Sequence, residues 1–198
     1  ARDNNAIATA NGIYWVDRKT KKIYRFKSGG LESVSDTKGM KSWATTNIDP
    51  SLQQNIQIGN NVQDDEILFS IGDTTLVFSE ALNSFTSFYT YTTSLYINTY
   101  DNLLSLNAGA NSIYTHNIGS YNTWYEEPFK SNIEFTVNKT PTHTKVFDNI
   151  EWYSVGGPVN QDLVSSAVFK TSSNDSVTTE FKDIESSDYF PYKKVKEK

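Results

Sequence analysis

The chain of 198 residues carries 23 acidic and 18 basic side chains, a formal net charge of −5, and no cysteine. The acidic balance argues against a general nucleic-acid-binding surface. The missing thiols exclude a disulfide framework or a cysteine metal site, and no window reaches the roughly 18 apolar residues of a membrane span. Aromatics make up 14% of the chain against a hydrophobic total of 37%. Tyr and Phe therefore carry the burial in a chain rich in Ser, Thr and Asn, the profile of an all-β protein. The length suffices for a real core. No signal peptide is expected at this N-terminus. The first residue is Ala1 and the only methionine is Met40, so a processed product, an excised domain or a fragment is expected.

In chain order, residues 1–11 read as a polar linker. Gly12–Asp17 is expected as a strand, Arg18–Lys21 as its turn, and Lys22–Phe26 as a half-exposed strand that alternates charge with apolar residues. Ser28-Gly29-Gly30 turns the chain into Leu31–Ser35. The loop at 36–61 breaks this pattern. Within it Lys38–Ala44 suits a short helix, and Asn47–Asn61 reads as a loop, either a protruding contact element or plain surface. A second unit follows: Glu66–Ile71, a turn at Gly72-Asp73, and Thr74–Ser79.

Ser84–Tyr91 belongs to a stretch, Leu76–Leu106, that is dense in Phe, Tyr, Thr, Ser, Leu and Ile. Both faces of this strand are half aromatic and half hydroxyl, which suits a strand flanked by neighbours inside a sheet. Leu95–Tyr100, Asp101-Asn102 and Leu103–Leu106 form a hairpin with a two-residue turn. Ser112–Asn117 completes a third unit. Residues 12–121 thus read as three-stranded antiparallel meanders that resemble β-propeller blades. Three blades do not close a ring, so either further blades lie outside the chain or the sheets form an open stack.

From 122 to 198 a C-terminal, hairpin-rich region is expected. Trp124–Phe129 is a connector, Asn132–Asn138 a strand, and Lys145–Val155 a long strand. Val168–Thr171 and Val177–Phe181 form a hairpin. The basic tail Tyr192–Lys198 reads as solvated chain.

The search for chemistry finds no P-loop, dinucleotide fingerprint, HExxH motif or nucleophile elbow. His116 and His143 are far apart without ligand-spaced partners. Cofactor and metal sites are therefore expected to be none. Glu80, Asp101, Glu126 and Glu127 are the carboxylates that a glycosidase could pair. However, Asp101 is more simply a turn former, and Glu126-Glu127 would face opposite ways on a strand. Asp36–Trp43 approaches a sialidase-type Asp-box, but its spacings are one residue too long. The sequons at Asn138 and Asn174 are expected by chance. Trp15, Trp43 and Trp124 offer an alternative reading, a carbohydrate- or receptor-binding β-module that stacks sugars on exposed rings. The bland reading of these rings is strand core.

Five phrases, NGIYWVDRKTKKIYRF, KGMKSW, DEILFSIGDTTLVFSEALNSFTSFYTYTTSLYINTYDNLLSL, SIYTHNIG and TKVFDNIEW, resemble the tail muzzle, or nozzle-type stabilisation, proteins of crAss-like short-tailed bacteriophages. The resemblance runs from about Asn11 to Trp152 and is most specific at Leu76–Tyr91 and in the VFDN-EW phrase. It implies a β-propeller-containing structural subunit of the virion, assembled in the host bacterial cytoplasm. Copies would form a homo-oligomeric ring with other tail proteins at the distal end of the tail channel, stabilising the tail and forming the conduit for DNA and cargo proteins. It also implies that the chain is a C-terminal portion of a much longer polypeptide. It implies no enzyme, no catalytic residue, no cofactor and no sequence-specific nucleic-acid contact.

Overall fold

The structure, a computed structural model, describes residues 4–51, 54–107, 112–136, 142, 166–170 and 176–180. The expectations for the strand at 145–155, the tail at 192–198, His143 and the sequon asparagines 138 and 174 lie outside these residues. Two compact units are distinguished, Ala1–Phe135 and Thr136–Lys198. In the second, β14 (Ser166–Lys170) pairs antiparallel with β15 (Ser176–Glu180), the expected hairpin.

The first unit contains three antiparallel meanders. The first sheet runs in the order β1 (Ala6–Thr9), β2 (Gly12–Asp17), β3 (Lys22–Lys27), β4 (Gly30–Ser33). The short helices α1 (Val34–Thr37) and α2 (Lys41–Asn47) follow. The second sheet is β5 (Ile56–Asn61), β6 (Glu66–Ile71), β7 (Thr74–Ser79), β8 (Ser84–Tyr89). The third is β9 (Leu95–Asn98), β10 (Leu103–Leu106), β11 (Ile113–Thr115). A small hairpin, β12 (Thr123–Trp124) with β13 (Glu127–Pro128), closes the unit. The fold is all-β apart from the short helices, as the composition implies.

The first two meanders have four strands, not three. Each gains its extra strand from a segment that composition alone assigns to irregular chain. Ala6–Thr9 lies in the expected linker, yet it pairs along its length with β2. Ile56–Asn61 lies in the expected loop, yet five of its six residues are buried. Polarity misleads there because β5 is covered on both faces. Its Gly59 would place a Cβ 2.9 Å from the Tyr96 ring, so only glycine admits that ring. The predicted helix at Lys38–Ala44 starts later, at Lys41, because Gly39 holds a left-handed φ of 82°.

Four further expectations are corrected. Ser84–Tyr91 shortens to β8 and, among the described residues, lies at a sheet edge, paired with β7 alone. The connection between β9 and β10 has four residues, and the Thr99 hydroxyl donates to the Asn102 carbonyl at 2.6 Å within it. The Trp124–Phe129 connector is the β12–β13 hairpin, whereas residues 132–136 are not strand. β3 is half-exposed as expected and buries Ile23, but Arg25 is buried beside it and Phe26 is 52% exposed.

The sheets stack face to face through two cores. One joins Tyr14, Val16 and Ile23 of the first sheet to Ile58, Phe69, Leu76 and Phe78 of the second, with Val34, Ala44 and Ile48 from the helical segment. The other joins Leu68 and Val77, on the opposite side of the second sheet, to Tyr96 and Leu103 of the third. The leading strands β1, β5 and β9 touch in succession. Backbone bonds from Asn4 to Ile56 and Ile58, at 3.1 and 2.9 Å, tie the first of these joints.

Candidate functional site

The densest grouping of polar chemistry and aromatic rings lies where the β12–β13 hairpin covers the second core. Tyr125 and Glu126 occupy the hairpin turn with φ of 53° and 69°, a pair of left-handed residues that a two-residue turn requires. The turn folds Trp124 back onto Tyr91, with ring centroids 4.3 Å apart and planes 27° from parallel. His116 contacts the rings of Tyr91, Trp124 and Tyr96 at 5.7, 5.5 and 5.9 Å.

Hydroxyl groups thread this cluster. The Tyr125 hydroxyl donates to Ser105 Oγ at 2.9 Å, and Ser105 Oγ meets His116 Nε2 at 2.8 Å. Ser105 Oγ carries one proton and meets these two side chains among the described residues. Its oxygen accepts from Tyr125 and either donates to Nε2 or accepts from it, while His116 Nδ1 is buried with no hydrogen-bond partner among the described residues. On the other side Tyr96 donates to Tyr91 at 3.2 Å, and its hydroxyl meets Ser70 at 2.9 Å. Burial holds the His116 pKa down at about 4, so the ring is neutral at physiological pH. Burial likewise raises the phenols of Tyr91, Tyr96 and Tyr125.

Two clefts flank the hairpin, of about 190 Å³ beside Thr90, Asn107 and Phe129 and about 260 Å³ beside Tyr114, Asn117 and Thr123. Trp124 and Tyr125 form the wall between them. Their rings are engaged by Tyr91 and by Tyr114, the latter at 4.9 Å edge to face. The cluster therefore works as a clamp that seats a hairpin between two sheets.

The sequence-derived candidates are scattered. Glu80 accepts from Tyr14 at 2.7 Å, Thr9 at 3.0 Å and Asn11 at 3.0 Å, and so fastens β1 and β2 to the second sheet. Its proximity and burial push the Tyr14 phenol up to about 12, burial being the larger cause. Asp101 sits in the β9–β10 connection, where its carbonyl accepts from Gln63. Glu126 and Glu127 line different clefts. Asp36 of the near Asp-box lies in α1 and pairs with Lys22 at 2.6 Å. Trp15 stacks on Tyr24 at 5.4 Å, Trp43 packs on Phe88 at 5.7 Å, and Trp124 belongs to the clamp. The three tryptophans thus form no common sugar-stacking platform. Among the described residues, no three His, Cys, Asp or Glu side chains converge as a metal site would need.

Sequence reasoning missed Ser105, Tyr91 and Tyr96 as partners of His116, and Tyr125 behind Ser105, because the clamp joins residues scattered between positions 91 and 125. It also missed Arg25. This buried side chain pairs with Glu32 at 2.6 Å and lies 5.6 Å from the Phe78 ring. The cross-strand register of Arg25 with Glu32 was the available signal.

Comparison with known proteins fits this picture of a chain built around joints. The profile described as the crassvirus muzzle protein matches residues 2–109. The chain belongs to the crassvirus muzzle protein family. The profile for the C-terminal domain of that protein matches residues 119–194. The muzzle protein of Bacteroides phage crAss001 is 26% identical over 183 residues, which cover 85% of this chain and 13% of that relative. The chain thus spans only a small part of the relative's length. Family membership makes it a phage structural protein, a component of the virion, and bears out the resemblance seen in the sequence.

Proposed function

We propose that this chain is an interface-forming part of a muzzle subunit whose copies form a ring at the distal end of the tail channel. The ring stabilises the tail and bounds the conduit through which DNA and cargo proteins leave. In this reading the meanders within 12–121, together with β1, are successive blades of a propeller. Residues 122–198 are a C-terminal, hairpin-rich region. The role requires no catalysis, and the subunit meets other tail proteins and the rest of its own polypeptide.

The observation that carries the reading is the stack itself. Three meanders follow one another in the same sense, with their leading strands in succession and polar side chains spent on fastening sheet to sheet. Such rigid, aromatic joints suit an oligomeric ring, where stability comes from interfaces. The net charge of −5 suits a conduit that does not grip phosphate. Imaging of intact virions at side-chain resolution tests the proposal. The expected result places rotationally related copies of this fold around the distal tail axis. Density for the chain in the capsid, or a single copy off the axis, would overturn it.

A further inference from the structure

We infer that the outer face of the first sheet is a docking surface for another β-sheet, supplied by a different segment of the long muzzle-family polypeptide. The inference rests on the reading of the sheets as one repeating series. On this face Ala8, Ile13, Phe26 and Leu31 stand side by side across all four strands. Ile13, Phe26 and Leu31 are 45, 52 and 63% exposed.

A sheet that faces water alternates apolar residues inward and polar residues outward. β3 keeps Ile23 inward, but beside it buries Arg25, paired with Glu32, and presents Phe26 outward. Phe26, flanked by Ile13 and Leu31, therefore gives the outward side an apolar row of its own. The same side of the second sheet shows what covering looks like. There Ile58, Phe69 and Leu76 hold a matching cross-strand row, and all three are fully buried by the first sheet. Charge is confined to one end of the open face, where Lys22 pairs with Asp36. The exposed apolar row lies at the opposite end, beside the half-buried Trp15–Tyr24 stack, so apolar surface and charge are segregated on this face.

The occupant follows from continuity and from length. Each described joint is made by sheets consecutive in the chain, and the leading strands touch in order, so one more step in the series lays a sheet on this face. The crAss001 relative supplies the material, since the matched region is 13% of its length. A second copy of this chain is the competing occupant, because the far side of the third sheet also exposes Leu95 and Ile113.

These 198 residues contain no cysteine, so a thiol introduced on this face is resolved from any other by the mass of its own peptide. Ile13→Cys and Leu31→Cys are introduced into the full-length polypeptide that carries this sequence. Maleimide labelling of each site is then compared between native and urea-unfolded protein by peptide mass. Both thiols are expected to label at least about tenfold more slowly in the native protein, with protection unchanged on dilution to monomer. Native labelling at the unfolded rate overturns the inference. Protection that disappears on dilution also overturns it, by assigning the face to a second copy. A ring of copies in virions combined with freely labelled thiols would sink this inference alone and leave the ring standing.

Discussion

Gly59 and His116 show how single residues set the tolerance of the joints. The Cβ of an alanine at 59 would lie 2.9 to 3.1 Å from three atoms of the Tyr96 ring. That ring is buried and tied through its hydroxyl to Ser70 and Tyr91, so it has little room to yield. Gly59→Ala should therefore cost about 1–3 kcal/mol, the usual range for overpacking a tight core. A urea midpoint equal to that of the parent chain would count against this.

His116 acts through protons. Its ring stays neutral in the fold to about pH 4, whereas in the unfolded chain it protonates near 6.5. Between these values the unfolded state binds more protons, so stability should fall as pH drops from about 6.5 towards 4. The full effect is on the order of 3 kcal/mol. Glu66 works in the opposite sense. Burial and the nearby Asp64 charge raise its carboxyl, so its protonation at the acid end of the window favours the fold. Replacing the ring by His116→Gln should flatten the slope above about pH 5 in chemical denaturation. A slope unaltered by that substitution would remove His116 as its source.

At the scale of elements, legibility tracked how far a strand's fate depends on its own residues. β2, β6, β7 and the β14–β15 hairpin were readable because apolar or β-branched runs sit between turn residues. β1 and β5 were not, since alanine, glycine and asparagine gain strand character there only from the sheets beside them. The clamp was illegible for the same reason, as its members are Tyr91, Tyr96 of β9, Ser105 of β10, His116, Trp124 of β12 and Tyr125 of the turn. That turn leads to a sharp expectation. Glu126 is exposed, yet it holds a φ of 69°, a conformation that costs a side-chain-bearing residue about 1 kcal/mol or more. Glu126→Gly should raise stability by about 0.5–1 kcal/mol, because glycine adopts the turn without strain. Thermal unfolding would show the gain as a higher midpoint, and a lower one would mean that the carboxylate has a hidden partner.

For the first unit as a whole, the second sheet is the shared layer. Its two sides feed the two cores, with Ile58, Phe69 and Leu76 on one side and Leu68 and Val77 on the other. Neither neighbouring sheet keeps its core if this layer opens, so the three should unfold as one cooperative body. β6 and β7 lie between paired strands within the layer and between sheets above and below it. Their amides should therefore exchange most slowly in native-state hydrogen exchange, while β4, β8 and β11 at the sheet edges exchange first. Phe69→Ala tests the coupling. The ring is fully buried and meets Tyr14 at 6.4 Å and Phe85 at 6.4 Å, and its removal should cost about 3–5 kcal/mol. If the layer is shared, that loss accelerates exchange in β10 of the third sheet as strongly as in β2 of the first, although Phe69 touches only the first core. Acceleration confined to β2 and the helical segment would instead divide the unit into two independently opening halves. The second core, with its clamp, would then hold the third sheet without help from the first.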